Sequence, residues 1–206
     1  MKHYIIKYIV LLLSFMVFPF NMNAIDANSI LKNVSEKFNN CKSISATFSL
    51  IDNGHSENGS IIIEGNKFAI STQHLLTWFD GKTQWSYSPE INEVNISEPT
   101  EGELQQINPF AIISNFRNEF TANLINSNSE SYKIQLTPKN TKYTIKLIEL
   151  TINSSTYFPS LIVITAKNGT KATIKVNSIK TGNIQPSSTF TFNAKNFPNV
   201  EIVDLR

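Results

Sequence analysis

A single cysteine, Cys41, excludes an internal disulfide, so the chain must be held by an ordinary buried core. Cys41 itself is read as a small buried hydrophobe rather than a reactive thiol. Arginine is nearly as scarce, with Arg117 and Arg206 the whole supply. Without a clustered positive field there is nothing to grip a phosphate backbone, and nucleic acid is not an expected partner. The histidines are His3, His55 and His74. His55 and His74 have neither the spacing of a helical metal pair nor a sequence partner for base chemistry, and are read as solvated loop or strand-end residues. Nucleophile-elbow and glycine-rich phosphate motifs are lacking too, and Asp80-Gly81 reads as a turn before it reads as an acid. No metal, cofactor or catalytic residue is implied. The chain is read as a non-enzyme, with catalysis left open only through side chains brought together from afar.

Long apolar runs are also missing after the first residues. Tyr8 to Phe20 is apolar apart from Ser14 and the Tyr8 hydroxyl, follows Lys2 and Lys7, and leads to the small residue Ala24. Basic flank, short apolar run and small residue are the parts of a cleavable export signal, and the run is shorter than the roughly 20 residues that span a membrane. Residues 1–24 are therefore read as a signal peptide and 25–206 as a single domain, soluble in the periplasm after cleavage. The leader accounts for the apparent basicity. Removing Lys2 and Lys7 leaves 16 basic residues against 16 acidic ones.

What is present is a change of period. Ile30, Leu31, Val34 and Phe38 recur on one helical face behind Asp26 and Ser29, either of which can cap a helix over 26–40. From Ser43, apolar Ile44, Ala46, Phe48 and Leu50 alternate with Ser43, Ser45, Thr47 and Ser49, the pattern of a half-buried strand. A loop at Asp52-Asn53-Gly54 precedes a second strand opened by Gly59. Short strands are expected at 67–71, 75–79, 84–88 and 93–97, with Asp80-Gly81 a tight hairpin turn and Ser88-Pro89 a further turn. A broken helical rhythm through Leu104, Ile107, Phe110, Ile113 and Phe116 places a short helix near Pro109. Strands return at 132–137, 143–152, 161–166, 171–178 and 188–192, and the apolar run Val200–Val203 closes the chain. About ten strands with two helices give a mainly β fold with α, a curved antiparallel sheet with helices on one face; a closed barrel or a two-sheet sandwich suits the same strand count.

The excess in the sequence is aromatic, with 14 phenylalanines, 6 tyrosines and 2 tryptophans. For Phe48, Phe68, Trp78, Trp85, Phe110, Phe190 and Phe192 the default is packed core. Their spread over both helices and nearly every strand, in a chain with few reactive groups, points instead to an apolar cavity.

The run Asp80-Gly81-Lys82-Thr83-Gln84-Trp85-Ser86-Tyr87-Ser88-Pro89, followed by Asn92-Glu93-Val94, resembles the periplasmic outer-membrane lipoprotein carrier family, the LolA-like proteins. The resemblance continues through Asn108-Pro109-Phe110-Ala111-Ile112-Ile113, Tyr132 to Lys139 and Ser188 to Phe192, and begins with the helix 26–40 and Ser45-Ala46-Thr47-Phe48-Ser49. It implies an unclosed half-barrel with a helical lid, whose cavity and lid residues would be Ile30, Leu31, Val34, Phe38, Phe48, Phe68, Trp78, Trp85, Phe110 and Ile113. It further implies a monomeric carrier that takes acylated lipoproteins from an inner-membrane ATP-driven releasing complex and hands them to the outer membrane, through an acceptor there if one exists. A binding module for another lipid or glycolipid, or a non-catalytic structural domain, shares these features.

The sequence departs from the family pattern at two places. Leu50 stands where the first strand has Gln, and Ile63-Glu64-Gly65-Asn66-Lys67-Phe68 lacks the arginine with which the family bonds its lid shut. Lys67 cannot reproduce a rigid guanidinium fork. The lid is therefore expected to close by packing through Ile30, Leu31, Val34, Phe38, Phe110 and Ile113. Processing after Ala24 predicts a periplasmic product starting at Ile25, checked by intact mass; a membrane-bound chain retaining Met1 contradicts it.

Overall fold

The computed structural model describes residues 26–52, 54–100, 103–104, 116–141 and 143–206. Helix α1 spans Ala27–Asn39 and starts where Asp26 accepts hydrogen bonds from the Ser29 backbone N–H and hydroxyl, both at 2.9 Å. That pairing satisfies a donor left without an intrahelical partner in the first turn. Ala27, Ile30, Leu31 and Val34 form its buried face. Burying Ile30, Leu31 and Val34 is worth about 1.5–3 kcal/mol each. The exposed Lys32–Glu36 pair at 3.6 Å adds about 0.3–0.5 kcal/mol, so packing holds the helix in place.

The strands are β1 (Ser43–Asp52), β2 (His55–Glu64), β3 (Lys67–Ser71), β4 (Leu76–Phe79), β5 (Gln84–Ser88), β6 (Glu93–Ser97), β7 (Phe120–Ser127), β8 (Ser131–Pro138), β9 (Ile145–Asn153), β10 (Pro159–Ala166), β11 (Lys171–Gly182) and β12 (Glu201–Asp204). They form one sheet in the order β12-β6-β5-β4-β3-β2-β1-β11-β10-β9-β8-β7. Its end strands, β12 and β7, do not pair, so the sheet is an unclosed half-barrel rather than a closed barrel or a sandwich, with α1 across one face. The turns follow local chemistry. Gly65 between β2 and β3 has φ 59° and Gly81 between β4 and β5 has φ 105°, values that an L side chain rarely adopts. Asp80 Oδ1 accepts from the N–H groups of Lys82 and Thr83 at 2.9 and 2.8 Å, so it does serve the turn.

Four expectations are corrected. The sheet is not wholly antiparallel, because β12 runs parallel to β6. Residues 188–192 are not a strand. β1 and β10 already occupy both edges of β11, and the chain turns instead into a 3-10 helix, Ser187–Phe190, that drives Phe190 to full burial. The strand β7 is additional, its alternation of Phe120, Ala122 and Leu124 with Thr121 and Asn123 being short and broken by the register shift between Leu124 and Asn126. Finally Cys41 is half-exposed, its thiol donating to the Lys37 carbonyl at 3.1 Å. The helix expected near Pro109 lies outside the described residues, apart from the helical turn 116–119 that runs into β7.

Strand pairing assigns every side chain to a face, because directly opposed residues point the same way. One face carries the row Leu50–Ile174–Ile162–Leu150–Ile134–Leu124 across β1, β11, β10, β9, β8 and β7. On the other side of β1 it continues as Ala46–Ile61–Ile70 and Ile44–Ile63–Phe68–Phe79. The buried face of α1 joins the first row, together with Ala46, Ile61, Ile63 and Ile70, in a single core. The opposite face carries Ser45–Ile62–Ala69–Trp78–Trp85–Ile96. The chain after β11 crosses this second face on its way to β12, with Phe192 and Phe197 packed on Trp78 at 5.7 and 5.8 Å and Phe197 on Tyr87 at 4.5 Å.

Gly59 is opposite Phe48, whose ring lies over it; a Cβ there would meet Phe48 Cζ at 2.5 Å and the Ser71 carbonyl oxygen at 3.0 Å. Gly59→Ala should lower the unfolding free energy by about 1–3 kcal/mol. In a Phe48→Leu background urea titration should recover most of that loss, and an equal loss in both backgrounds would place the conflict elsewhere.

Candidate binding face

The α1 face of the sheet is the candidate site. Ile30, Leu31 and Val34 have no solvent exposure, and Phe48 is 9% exposed beneath them in the same core. Phe38, half-buried in the last turn of α1, packs edge-on against Phe158 at 5.4 Å. Phe68 shares this face and pairs with Phe79 at 5.3 Å. Leu50, Ile63, Ile70, Ile164, Val176 and Ile179 are only partly buried against the core, and so leave apolar surface beside it. Sequence reasoning missed these last six. Their alternation was visible, but not that pairing would align them.

Trp78 and Trp85 do not join the group. They are directly opposed to each other on the far face of the sheet, where Trp78 meets Phe192 and Phe197. In Leu76-Thr77-Trp78-Phe79 both parities carry apolar residues, so alternation alone could not choose the side; pairing turns Phe79 inward and Trp78 outward. Phe110 and Ile113 lie outside the described residues.

Lys67 is not placed to hold α1. Its Nζ lies 3.3 Å from Glu64 Oε1 and 5.6 Å from the centre of the Phe190 ring. Glu64 Oε2 accepts from the Gln185 N–H at 2.7 Å, so the pair anchors the chain that leaves β11. The bond from Gln185, followed by Lys67, holds the Glu64 carboxyl below its usual range. A depressed carboxylate pKa stabilises the fold above the ordinary value of 4.5, and that contribution is lost as pH falls through the lower folded value. Hydrogen bonding at the histidines is superficial: His74 Nδ1 meets Glu90 Oε1 at 2.8 Å between exposed side chains, and His55 is exposed. Among the described residues no cluster of three or more His, Cys, Asp or Glu side chains could hold a metal, and no helix is long and apolar enough to cross a membrane.

An open half-barrel with a helix over one apolar face, whose apolar surface is only partly buried, has the form of a binding or carrier domain. A family model described as outer membrane lipoprotein carrier protein LolA matches residues 17–170, and the chain belongs to that family. Among solved structures, an uncharacterized conserved protein from Thermus thermophilus is similar with a TM-score of 0.60 and 14% identity, over 86% of this chain and 98% of that one. A DUF1329 family protein from Desulfovibrio piger has a TM-score of 0.50 and 10% identity, over 82% and 98%. A LolA superfamily protein from Nitrosomonas europaea has a TM-score of 0.46 and 15% identity, over 82% and 99%. No curated protein matches the chain by sequence.

If packing rather than Lys67 holds α1, Lys67→Ala should leave hydrogen exchange in 27–39 unchanged and shift acyl-probe affinity by less than threefold, about 0.65 kcal/mol. Phe38→Ala should speed that exchange. Faster exchange throughout α1 in Lys67→Ala, with overall stability intact, would make Lys67 the lock.

Proposed function

We propose that this protein is a periplasmic carrier that shelters the acyl chains of lipoproteins on the α1 face of its half-barrel and moves them from the inner to the outer membrane. The observation that carries the reading is the apolar surface left on the face of the sheet that α1 covers. Leu50, Ile63, Ile70, Ile164, Val176 and Ile179 pack against the core that contains α1 and are only partly buried. Each acyl methylene withdrawn from water is worth about 0.8 kcal/mol, so a lipoprotein's chains need such a shelter to cross an aqueous compartment. An entering chain can replace the contacts that α1 loses on opening, because both are apolar and no bonded guanidinium has to be broken. The family match supports this cargo, and with it a releasing complex at the inner membrane and an acceptor at the outer one as partners. No step of transport asks the carrier for covalent chemistry.

Native mass spectrometry of protein taken from the periplasm should show bound acylated polypeptide. Free lipid alone would favour a module for another amphiphile, and an empty protein a structural domain. An environment-sensitive acyl probe should bind and be displaced by a diacyl lipopeptide, and Ile63→Asp should weaken it at least tenfold by setting a charge beside the chain. Unchanged affinity in a variant with native circular dichroism would remove Ile63 from the site.

A further inference from the structure

The α1 face changes character at one place. Its row Ile44–Ile63–Phe68–Phe79 continues as Gln84–Ser97, and its row Ala46–Ile61–Ile70 continues as Thr77–Ser86–Asn95. Both rows turn from apolar to polar around β4 and β5. Three of the buried polar residues, Thr77, Thr83 and Gln84, gather at this boundary, although burying such groups is costly without partners.

Gln84 is the telling residue. It is 8% exposed, and its Nε2 donates to Ser86 Oγ at 2.9 Å while its Oε1 is buried with no hydrogen-bond partner among the described residues. It also lines a cleft of about 820 Å³ with Ser97, Glu98, Glu103, Leu205 and Arg206. The charged groups there already have partners. Glu98 pairs with Lys82 at 3.2 Å, Glu103 Oε2 accepts from the Thr100 N–H and hydroxyl at 2.8 Å, and Arg206 meets Asp204 at 2.8 and 2.6 Å. Among the described residues none donates to Gln84 Oε1. A buried acceptor without a donor is costly, and an N–H from a ligand would satisfy it.

We propose that this cleft is a head-group subsite, in which Gln84 Oε1 accepts an N–H donor from the polar head of the amphiphile whose acyl chains lie along Phe79, Phe68 and Ile63. Adjacent strands are about 4.8 Å apart, so Gln84 sits one strand spacing beyond Phe79, within reach of the polar group that joins an acyl chain to its head where that chain ends at Phe79. Glu98 and Arg206 have opposite charges beside them and Glu103 has the neutral donors of Thr100, so the donor asked for by Gln84 is either an amide N–H or an ammonium N–H. The assignment rests on the reading of this face as an acyl-chain site, and it adds recognition of the head to shelter of the tail.

The test compares Gln84→Met and Gln84→Glu with the unaltered protein against three probes: an N-acylated diacylglyceryl-cysteinyl peptide, phosphatidylethanolamine in detergent micelles, and a triacylglycerol, which carries no N–H. Gln84→Met should weaken the lipopeptide about tenfold while triacylglycerol binding changes less than twofold, and Gln84→Glu, which keeps the acceptor, should retain lipopeptide affinity within about threefold. The same loss with phosphatidylethanolamine would show that a lipid ammonium also serves as the donor, and its absence that the peptide amide alone does; either supports the subsite. Ligand-free Gln84→Met should melt at or above the unaltered temperature, since it loses an unsatisfied acceptor and no bond that the sheet depends on. Equal losses for all three probes, or none for any, would overturn the subsite. Failure of every probe to bind the unaltered protein would overturn the acyl-chain reading itself.

Discussion

Everything in this molecule follows from one mismatch of dimensions. A twelve-stranded sheet is about 53 Å across at ordinary strand spacing, whereas a helix of 13 residues is about 20 Å long. Pairing in register lines up one apolar face over most of that breadth, and α1 alone is too short to cover it. Closing the sheet into a barrel would remove the problem, but β12 and β7 remain unpaired. Among the described residues, apolar side chains on that face stay only partly buried.

The two faces are finished by different means. Where the chain after β11 crosses the outer face, Phe190, Phe192 and Phe197 fill it, and Glu64, Lys67 and Gln185 fix the crossing. That face is closed by covalent continuity and polar anchors. The inner face has α1 held by Ile30, Leu31 and Val34, contacts without direction that an acyl chain can imitate. A family pattern that bonds its lid with arginine has no arginine here between Ile63 and Phe68.

Local chemistry made part of this legible in the sequence. The 3.6-residue recurrence of Ile30, Leu31, Val34 and Phe38 behind Asp26, the alternation of Ile44 to Leu50 and the Asp80-Gly81 turn are each decided by neighbours along the chain. Features decided across the sheet were not. Trp78 and Trp85 point away from the α1 face because pairing, not alternation, chooses which parity faces α1. Phe190 reaches full burial from a 3-10 turn because no strand edge was open to it, and β12 joins β6 in parallel after a crossing that no spacing announces. Gln84 looked like the start of an ordinary strand; only its row with Phe79 and its bare carbonyl oxygen set it apart.

The central claim is that the face bearing α1, and not the face bearing the tryptophans, receives acyl chains. A lipopeptide with a nitroxide on one acyl chain, added to protein labelled at isoleucine and valine methyls and tryptophan indoles, measures this directly by NMR. The methyls of Ile63, Ile70, Ile164 and Val176 should broaden, while the indoles of Trp78 and Trp85 keep their intensity. Broadened indoles with sharp isoleucine methyls would contradict the account.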